Sequence, residues 1–280
     1  VVLTDLEQKA IDGFKGAEFE GSIKNWTDVL QDENATPENK KQALKELKEQ
    51  LSDPNSEIAT GAALGKNADY IPELAKIDSG LYAISIYTID GQSINIGDYS
   101  HEFAIESCSK VFTLALALEK FGIPYLKKNI GENKSKEAFD SICSVDRIKN
   151  HTINSFDNGG AMATTSLLFA SNANKQTFTR QIVDNMSAFA GRQLHVSNKI
   201  YRSEILHSEH NLAIAHLLKS YNKFYGDIDE CVDVYTRQCS VMVTSKDVAI
   251  MAATLANDGV NPKTKKRIAC IGGSTTYCIG

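Results

Sequence analysis

The sequence lacks an apolar run of membrane-spanning length, and it has no basic patch interleaved with aromatic residues. The first absence argues against a transmembrane protein. The second, together with a net charge of -5 at pH 7, argues against nucleic-acid binding. The N-terminus is acidic and amphipathic, which is typical of neither a signal peptide nor a transit peptide. What is present, 42% hydrophobic and 23% charged residues, is the composition of an ordinary globular protein.

Cysteine is present, but not in a pattern that holds a metal ion. No C-x-x-C pair occurs, and the histidines do not lie at metal-ligand spacing near the cysteines, so no zinc site is predicted. An even number of cysteines would allow disulfides. The contexts of Cys108 and Cys239 fit a reducing compartment better, and the cytoplasm is therefore the predicted location. The six cysteines are Cys108, Cys143, Cys231, Cys239, Cys270 and Cys278.

The composition divides the chain into a short first part and a larger second part. Residues 1–60 are rich in Glu, Lys, Asp and Asn and predict a small helical N-terminal extension, and residues 61–280 form the main domain. The clearest helix of the extension begins at Thr36, a good N-cap, with Pro37 at the first helical position. Its apolar stripe consists of Ala43, Leu44, Leu47 and Leu51.

The main domain begins with strands and continues with helices. The run from Leu81 to Ile89 is β-branched and aromatic and ends at Asp90-Gly91, a strong two-residue hairpin signal, and a return strand follows it. This order predicts an α+β fold in which helices pack on an antiparallel sheet. The predicted helices are 111–121, 162–170, 178–190, 212–218 and 245–257. The first is closed by Gly122 with Pro124 just beyond it, and the last is capped by Thr244 or Ser245.

Ser107 and Lys110 form an S-x-x-K tetrad directly before the apolar run 111–118. A serine and a lysine three residues apart on a helix share one face. If water is excluded there, the pKa of the ammonium falls and the neutral amine can accept the serine's proton. The N–H of Ser107, at the start of the helix, can then face a developing oxyanion. Such tetrads are also common by chance, and in the alternative interpretation Ser109 is a helix cap and Lys110 lies on a solvated face.

Four further stretches support a catalytic interpretation of the tetrad. Taken with 103–110, they are similar, in order and spacing, to the serine-dependent glutaminases, a family whose fold is related to the β-lactamases and penicillin-binding proteins. The resemblance extends from about Gly65 to Arg267. The four stretches are Gly65-Lys66-Asn67-Ala68-Asp69-Tyr70-Ile71-Pro72, the run 154–161, Ser203-Glu204 with 211–215, and 233–240 with 251–262.

The resemblance implies a role for each of seven residues. Ser107 resembles the nucleophile that attacks the side-chain amide of glutamine, and it also contacts the substrate. Lys110 resembles the base that activates this serine, and Tyr70 resembles the tyrosine whose hydroxyl lies beside it. The positions that hold the free amino acid are matched by Asn158, Glu204, Asn211 and Tyr235.

The chemistry of the substrate agrees with these residue types. A free amino acid carries an ammonium group that needs a carboxylate partner, which Glu204 can supply, while neutral Asn and Tyr side chains orient its other polar groups. Taken singly, each residue also has an ordinary structural interpretation. Asn158 precedes two glycines as a turn residue does, Asn211 can be a helix cap, and Tyr235 can be a core aromatic.

The chain departs from the family's pattern in two places. Asp157 adds a carboxylate beside Asn158, and Gly159 loosens the turn. After Arg267 the resemblance fades, with only Tyr277 as a weak echo of a family tyrosine, so the domain is expected to be incomplete at its C-terminus. The segment that is not matched supplies the second oxyanion N–H in the family, and losing one such donor typically costs on the order of 10²–10³ in rate.

The sequence therefore predicts a glutaminase that hydrolyses L-glutamine to L-glutamate and ammonia through an acyl-serine, without a metal or an organic cofactor. Two alternatives stay open. One is another S-x-x-K serine hydrolase, and the other is a catalytically impaired homologue that binds glutamine or glutamate. The resemblance also implies a homodimer or homotetramer, and neither a nucleic acid nor a membrane is an expected partner.

Overall fold

Eleven α-helices and five β-strands make up the part of the chain that the structure describes, residues 34–53, 65–172 and 174–269 of a computed structural model. The expectations for residues 1–33 of the helical extension, and those for Cys270, Tyr277 and Cys278, lie outside these ranges. None of the described helices combines the length and apolar character needed to cross a bilayer. The observed mixture of helices and antiparallel strands confirms the predicted α+β class.

Helix α1 (Pro37–Leu51) forms where the sequence predicted a capped amphipathic helix. The hydroxyl of Thr36 accepts a hydrogen bond of 3.1 Å from the backbone N–H of Asn39, which satisfies one of the free N–H groups at the helix start. The predicted stripe is buried, and Leu44, Leu47 and Leu51 pack with Ile94 of the following hairpin. Burial of this stripe attaches α1 to the main domain.

The hairpin consists of β1 (Ala83–Tyr87) and β2 (Ser93–Gly97), which pair antiparallel with Ala83 opposite Gly97. The prediction of a turn at Asp90-Gly91 is confirmed, but the loop is longer than two residues. The N–H of Thr88 donates to the carbonyl of Gln92 at 2.9 Å, so three residues lie between them. Gly91 has a φ of 97°, the left-handed value that a three-residue hairpin loop requires.

A second antiparallel sheet consists of three very short strands in the order β3-β5-β4. Their bounds are β3 (Phe103–Ala104), β4 (His195–Val196) and β5 (Val241–Val243). The sequence analysis did not predict them, because two or three residues are too few to show a period of two. The central strand holds the chain before the S-x-x-K tetrad, since the N–H of Ile105 donates to the carbonyl of Val241 at 2.8 Å.

The helical block surrounds α6 (Asn158–Phe169), whose residues 159–168 are all buried. Helices α3 (Ser109–Phe121), α9 (Glu209–Ser220) and α10 (Ile228–Cys239) pack around it. All five predicted helices are present, with ends that differ by up to a few residues. The other helices are α2 (Pro72–Ala75), α4 (Ile123–Asn129), α5 (Cys143–Asp146), α7 (Lys175–Ala190), α8 (Asn198–Ile205) and α11 (Ser245–Ala256).

The end of α3 and the start of α11 both agree with local capping signals in the sequence. Gly122 ends α3 with a φ of 75°, as predicted, but Pro124 belongs to the first turn of α4 and does not stop the chain there. Thr244 caps α11, and its side chain and that of Asp247 form a reciprocal capping box. Helix α11 then packs across β1, which places the hairpin against the helical block.

Candidate active site

Ser107 lies in a short 3₁₀ turn (Glu106–Cys108) that leads without interruption into α3. Glu106 in this turn has a φ of 49°, a left-handed value that is unfavourable for a residue with a side chain. Strained backbone of this kind occurs at functional sites, where it aims a side chain that regular structure would not. Here it exposes Ser107 at the wall of a cavity, while Lys110 is one turn further along.

The cavity has a volume of about 380 Å³ and lies where the 3₁₀ turn, α8, α9 and α10 converge. Six of the seven predicted site residues line it, although they come from six separate segments of the chain. Only Lys110 is not part of the wall, and it lies beneath, hydrogen-bonded to a residue that is. The six lining residues are Tyr70, Ser107, Asn158, Glu204, Asn211 and Tyr235.

Lys110 is buried, with 3% of its surface exposed, in the first turn of α3. Its Nζ donates to the carbonyl of Phe156 at 2.9 Å and to Oδ1 of Asn158 at 2.7 Å. Burial lowers the pKa of this ammonium group, and the negative charges of Asp157 and Asp140 oppose the decrease. The physical condition that the tetrad needed, a lysine with little water around it, is therefore present.

Asn158 connects the lysine to the rest of the site. Its Oδ1 also accepts a hydrogen bond from the hydroxyl of Tyr235 at 3.3 Å, and its Nδ2 donates to Oδ1 of Asn211 at 3.2 Å. Each end of the amide thus has a defined partner, which fixes its orientation. Asn158 is the first residue of α6, and Asn211 is in α9, so the network joins two packed helices to α3.

Glu204 is in α8, and it is not on the same helix as Asn211. A non-helical break separates the two helices, and Asn211 is the third residue of α9, so its interpretation as a helix cap is wrong. The hydroxyl of Ser240 donates to Oε1 of Glu204 at 3.3 Å. Burial raises the pKa of the Glu204 carboxyl to about 7, a shift that the hydrogen bonds to this carboxyl oppose.

Tyr70 precedes α2 and is exposed, with 69% of its surface accessible to solvent. Burial of the hydroxyl end, followed by the charges of Glu106 and Glu204, raises the pKa of its phenol. Tyr235 is buried, and burial raises the pKa of its phenol well above the usual value. Both hydroxyls are therefore protonated donors at neutral pH.

Sequence reasoning missed several residues of the cavity wall. Of these residues, Glu106 is the one that the sequence could have indicated, because it directly precedes the predicted nucleophile in the 3₁₀ turn. The others come from loops and helices whose approach to Ser107 only the fold determines. The missed residues are Ile71, Glu106, Phe139, Asp140, His207, His210, Thr236 and Cys239.

Among the described residues, one set of three groups could in principle hold a metal ion. Ligand atoms of Glu106, Glu204 and Cys239 lie within 4.8 Å of one another. Burial raises the pKa of Glu106 to about 9 and that of Cys239 well above its usual value, so both hold their protons at neutral pH. A metal ion would have to displace both protons, and the donor set does not favour one. The thiols of Cys108, Cys143, Cys231 and Cys239 are free.

The fold and the S-x-x-K cavity define the class to which the chain belongs, the β-lactamase-like α+β proteins. Within this class, the family model described as Glutaminase matches residues 65–271, and the chain belongs to the glutaminase family. Two curated relatives are the "Glutaminase" of Mycobacterium ulcerans, 46% identical over 73% of this chain, and that of Colwellia psychrerythraea, also 46% identical over 73%. The chain spans 63% and 65% of the lengths of these two relatives.

Solved structures give the same assignment. The structure titled "Probable glutaminase ybaS" is 41% identical, with a TM-score of 0.70 over 73% of this chain and 66% of that one. The structure of "Mglu in its glutamate form" is 36% identical, with a TM-score of 0.71 over 78% of this chain and 51% of its own. A probable glutaminase from Bacillus subtilis, complexed with 6-diazo-5-oxo-L-norleucine, is 26% identical with a TM-score of 0.63. It is matched over 74% of this chain and 62% of its own.

Proposed function

We propose that the chain is a glutaminase that hydrolyses L-glutamine to L-glutamate and ammonia through an acyl-serine at Ser107. The observation that carries the proposal is the environment of Lys110, which is buried, lies one turn from Ser107 and donates to two fixed acceptors. A neutral amine has two hydrogens and one lone pair. Phe156 and Asn158 accept the two hydrogens, and the lone pair remains available for the proton of Ser107.

The reaction then proceeds in two halves. Lys110 accepts the hydroxyl proton of Ser107, whose oxygen bonds to the side-chain amide carbon of glutamine and gives a tetrahedral oxyanion. The oxyanion faces the N–H of Ser107, and Tyr70 supplies a protonated hydroxyl beside the nucleophile. Ammonia leaves with the proton from Lys110, and the γ-glutamyl ester remains. Water, deprotonated by the same amine, attacks the ester carbonyl carbon. The bond to the oxygen of Ser107 then breaks, glutamate is released, and Lys110 returns the proton to Ser107, which restores the hydroxyl and the neutral amine.

Substrate selection is proposed to depend on charge. Glu204 pairs with the α-ammonium group of glutamine, and the neutral side chains of Asn158, Asn211 and Tyr235 orient its carboxylate and amide. Support comes from the hydrogen-bonded network, which holds these side chains around one cavity of about 380 Å³. Three neutral donors and one carboxylate match a substrate that carries one cationic group and several hydrogen-bonding groups.

Further proposals concern the whole protein. Residues 1–60 form a helical N-terminal extension, and residues 61–280 form the glutaminase-like domain. The protein works without a cofactor, as a homodimer or homotetramer, in the cytoplasm. The free thiols of the described cysteines fit a reducing compartment. Size-exclusion chromatography with light scattering tests the oligomeric state, and fractionation of the native host tests the location.

The decisive experiment is ammonia release from L-glutamine by the purified chain, by Ser107→Ala and by Cys108→Ser. Cys108 is the exposed neighbour of the nucleophile and serves as the matched control. We expect release by the first and third proteins, and loss of most or all of it in Ser107→Ala, by on the order of 10³-fold or more. A folded wild-type chain without release contradicts the proposal. Calorimetric glutamate binding would then support a binding homologue, and turnover of a lactam or ester would support another S-x-x-K hydrolase.

A further inference from the structure

Glu106 is a carboxyl group in the wall of the candidate active site with no role in the proposed reaction. The backbone of Glu106 has a left-handed φ of 49°, and its side chain lines the cavity. Its Oε1 is shielded from solvent and has no hydrogen-bond partner among the described residues. A carboxyl oxygen in this position is costly unless the group is neutral or a ligand supplies the missing contact.

The neighbour of Glu106 is Glu204, a second carboxyl in the same cavity. The two reach the cavity from different elements, the 3₁₀ turn and α8, and their oxygens lie within 4.8 Å of each other. Two carboxylates this close in a poorly solvated site cannot both be ionised without a large penalty. One shared proton removes the penalty, because a carboxylic acid can donate a hydrogen bond to a carboxylate.

We propose that Glu106 is a positioning and specificity residue of the site, whose protonated carboxyl donates a hydrogen bond to Glu204 so that the pair presents one negative charge to the α-ammonium group of the substrate. This inference rests on the proposed function, in which Glu204 pairs with that ammonium group. One negative charge facing one positive charge leaves the loaded site electrically balanced. The hydrogen bond also holds the Glu204 carboxylate in one orientation before the substrate arrives.

The titration of the two carboxyls follows the same geometry. Burial, followed by the charge of Glu204, raises the pKa of Glu106 to about 9, and the pKa of Glu204 is raised to about 7. Above about pH 9 both carboxyls are ionised, so two negative charges face the single positive charge of the substrate ammonium. Among the described residues, the other titratable groups that line the cavity are Tyr70 before α2, Asp140, His207 after α8, His210 of α9, and Tyr235 and Cys239 of α10. Lys110 of α3 lies beneath the cavity wall, hydrogen-bonded to Asn158.

The test compares three proteins, the wild type, Glu106→Gln and Glu106→Leu, by kcat/KM for L-glutamine between about pH 6 and pH 10. Gln keeps a neutral hydrogen-bond donor at the position of the carboxylic acid, whereas Leu keeps only the volume. All other groups, and the ammonium of the substrate itself, titrate in every protein. The ratio of wild type to Glu106→Gln therefore isolates Glu106. The control is Glu209→Gln, an exposed carboxyl at the start of α9.

We expect the ratio of wild type to Glu106→Gln to be constant below the pKa of Glu106 and to fall about tenfold per pH unit above about 9. Glu106→Leu should have a lower kcat/KM than Glu106→Gln at neutral pH, because Glu204 loses its donor. Glu209→Gln should follow the wild type at every pH. A ratio that does not change with pH, or a Leu variant equal to the Gln variant, overturns the proposal.

A second measurement separates failure of this inference from failure of the proposed function. Without substrate, the urea stability of the wild type relative to Glu106→Gln should decrease as the pH rises from about 4.5 to about 9, because the folded state holds the proton of Glu106 more tightly than the unfolded chain does. If this decrease is present but none of the proteins hydrolyses glutamine, the proposed function is wrong, and so is the proposed pairing of Glu204 with the substrate ammonium. The proton shared by Glu106 and Glu204 is then still supported. If hydrolysis occurs without the decrease, only the inference fails.

Discussion

Oδ1 of Asn158 lies 2.7 Å from Nζ of Lys110, although 48 residues separate them in the chain. This contact joins the first turn of α3 to the first residue of α6. It fixes the direction from which the amine can reach Ser107, because two of the positions around Nζ are occupied by Asn158 and the carbonyl of Phe156.

Lys110→Ala removes the proposed base, and we expect it to lower kcat for glutamine hydrolysis by about 10²–10⁴-fold. Lys110→Arg should not restore the rate, because a guanidinium stays protonated and has no lone pair to offer. Stopped ammonia assays at fixed pH measure both variants. Lys120→Ala, which changes an exposed lysine of the same helix, is the control and should retain the wild-type rate. Equal activity of Lys110→Arg and wild type would contradict the base assignment.

Tyr235→Phe deletes one hydroxyl and leaves the packing of α10 unchanged. That hydroxyl donates to Asn158 at 3.3 Å, and its phenol stays protonated because burial raises its pKa. We expect kcat/KM to fall by about two- to tenfold, since a lost hydrogen bond is worth about 0.5–1.5 kcal/mol. Thermal unfolding should show an intact fold. Tyr125→Phe, at an exposed position of α4, is the matched control. A kcat/KM for Tyr235→Phe equal to that of this control would contradict a role for Tyr235 in substrate binding.

Asp157→Asn should move the acidic limb of the kcat profile to lower pH. Asp157 is 7% exposed and its Oδ2 has no hydrogen-bond partner among the described residues. Its negative charge raises the pKa of Lys110, which must be neutral to accept a proton. Removing that charge lowers the pKa of Lys110, so a larger fraction of the amine is neutral at a given pH. A pH–rate series with Asp184→Asn, an exposed carboxyl on α7, as control measures the shift.

The same substitution should change stability in a defined direction. Burial raises the pKa of Asp157 above its ordinary value, so its contribution to stability is full at low pH and is lost as the pH rises through the folded pKa. Asp157→Asn lacks this loss and should be more stable than the wild type at neutral pH. Urea titrations at acidic and neutral pH measure the difference. An acidic limb that moves to higher pH, or a variant less stable at neutral pH, is inconsistent with this account.

Gly160→Ala should damage the site through the backbone. A Cβ atom at this position would lie 1.7 Å from the carbonyl oxygen of Asn154, so the loop that carries Phe156 would have to move away from α6. We expect a loss of about 2 kcal/mol or more in unfolding free energy, and a lower kcat as the contact to Lys110 is disturbed. Urea denaturation and ammonia assays measure the two effects.

Gly159→Ala is the matched control for that prediction. A Cβ there meets a methyl group of Val145 at 3.1 Å, and a side chain can yield where a backbone carbonyl cannot. Alanine also favours the helix over glycine by about 1 kcal/mol, which offsets the crowding. Gly159→Ala should therefore change stability much less than Gly160→Ala. Equal destabilisation by both variants would mean that loss of glycine in α6, and not the approach of Asn154, is responsible.

Local signals predicted much of the secondary structure. Thr36 and Pro37 start α1, Gly122 ends α3, and Asp90-Gly91 turns the hairpin, because each depends on the chemistry of a few adjacent residues. The hairpin loop was predicted one residue too short, since its length depends on which residues pair across it. The short strands of the second sheet exist only through pairing between distant segments, and no local pattern encodes them.

The sequence by itself determined the S-x-x-K tetrad, the α+β class and the family, because helix periodicity, turn chemistry and the order of motifs are properties of adjacent residues. Only the tertiary structure decided what surrounds the tetrad. Burial of Lys110, its hydrogen bond to Asn158 and the approach of Glu106 to Glu204 all depend on α3, α6, α8 and α10 meeting at one cavity. A pKa depends on the solvent and charges within a few ångströms, and those neighbours are chosen by the fold.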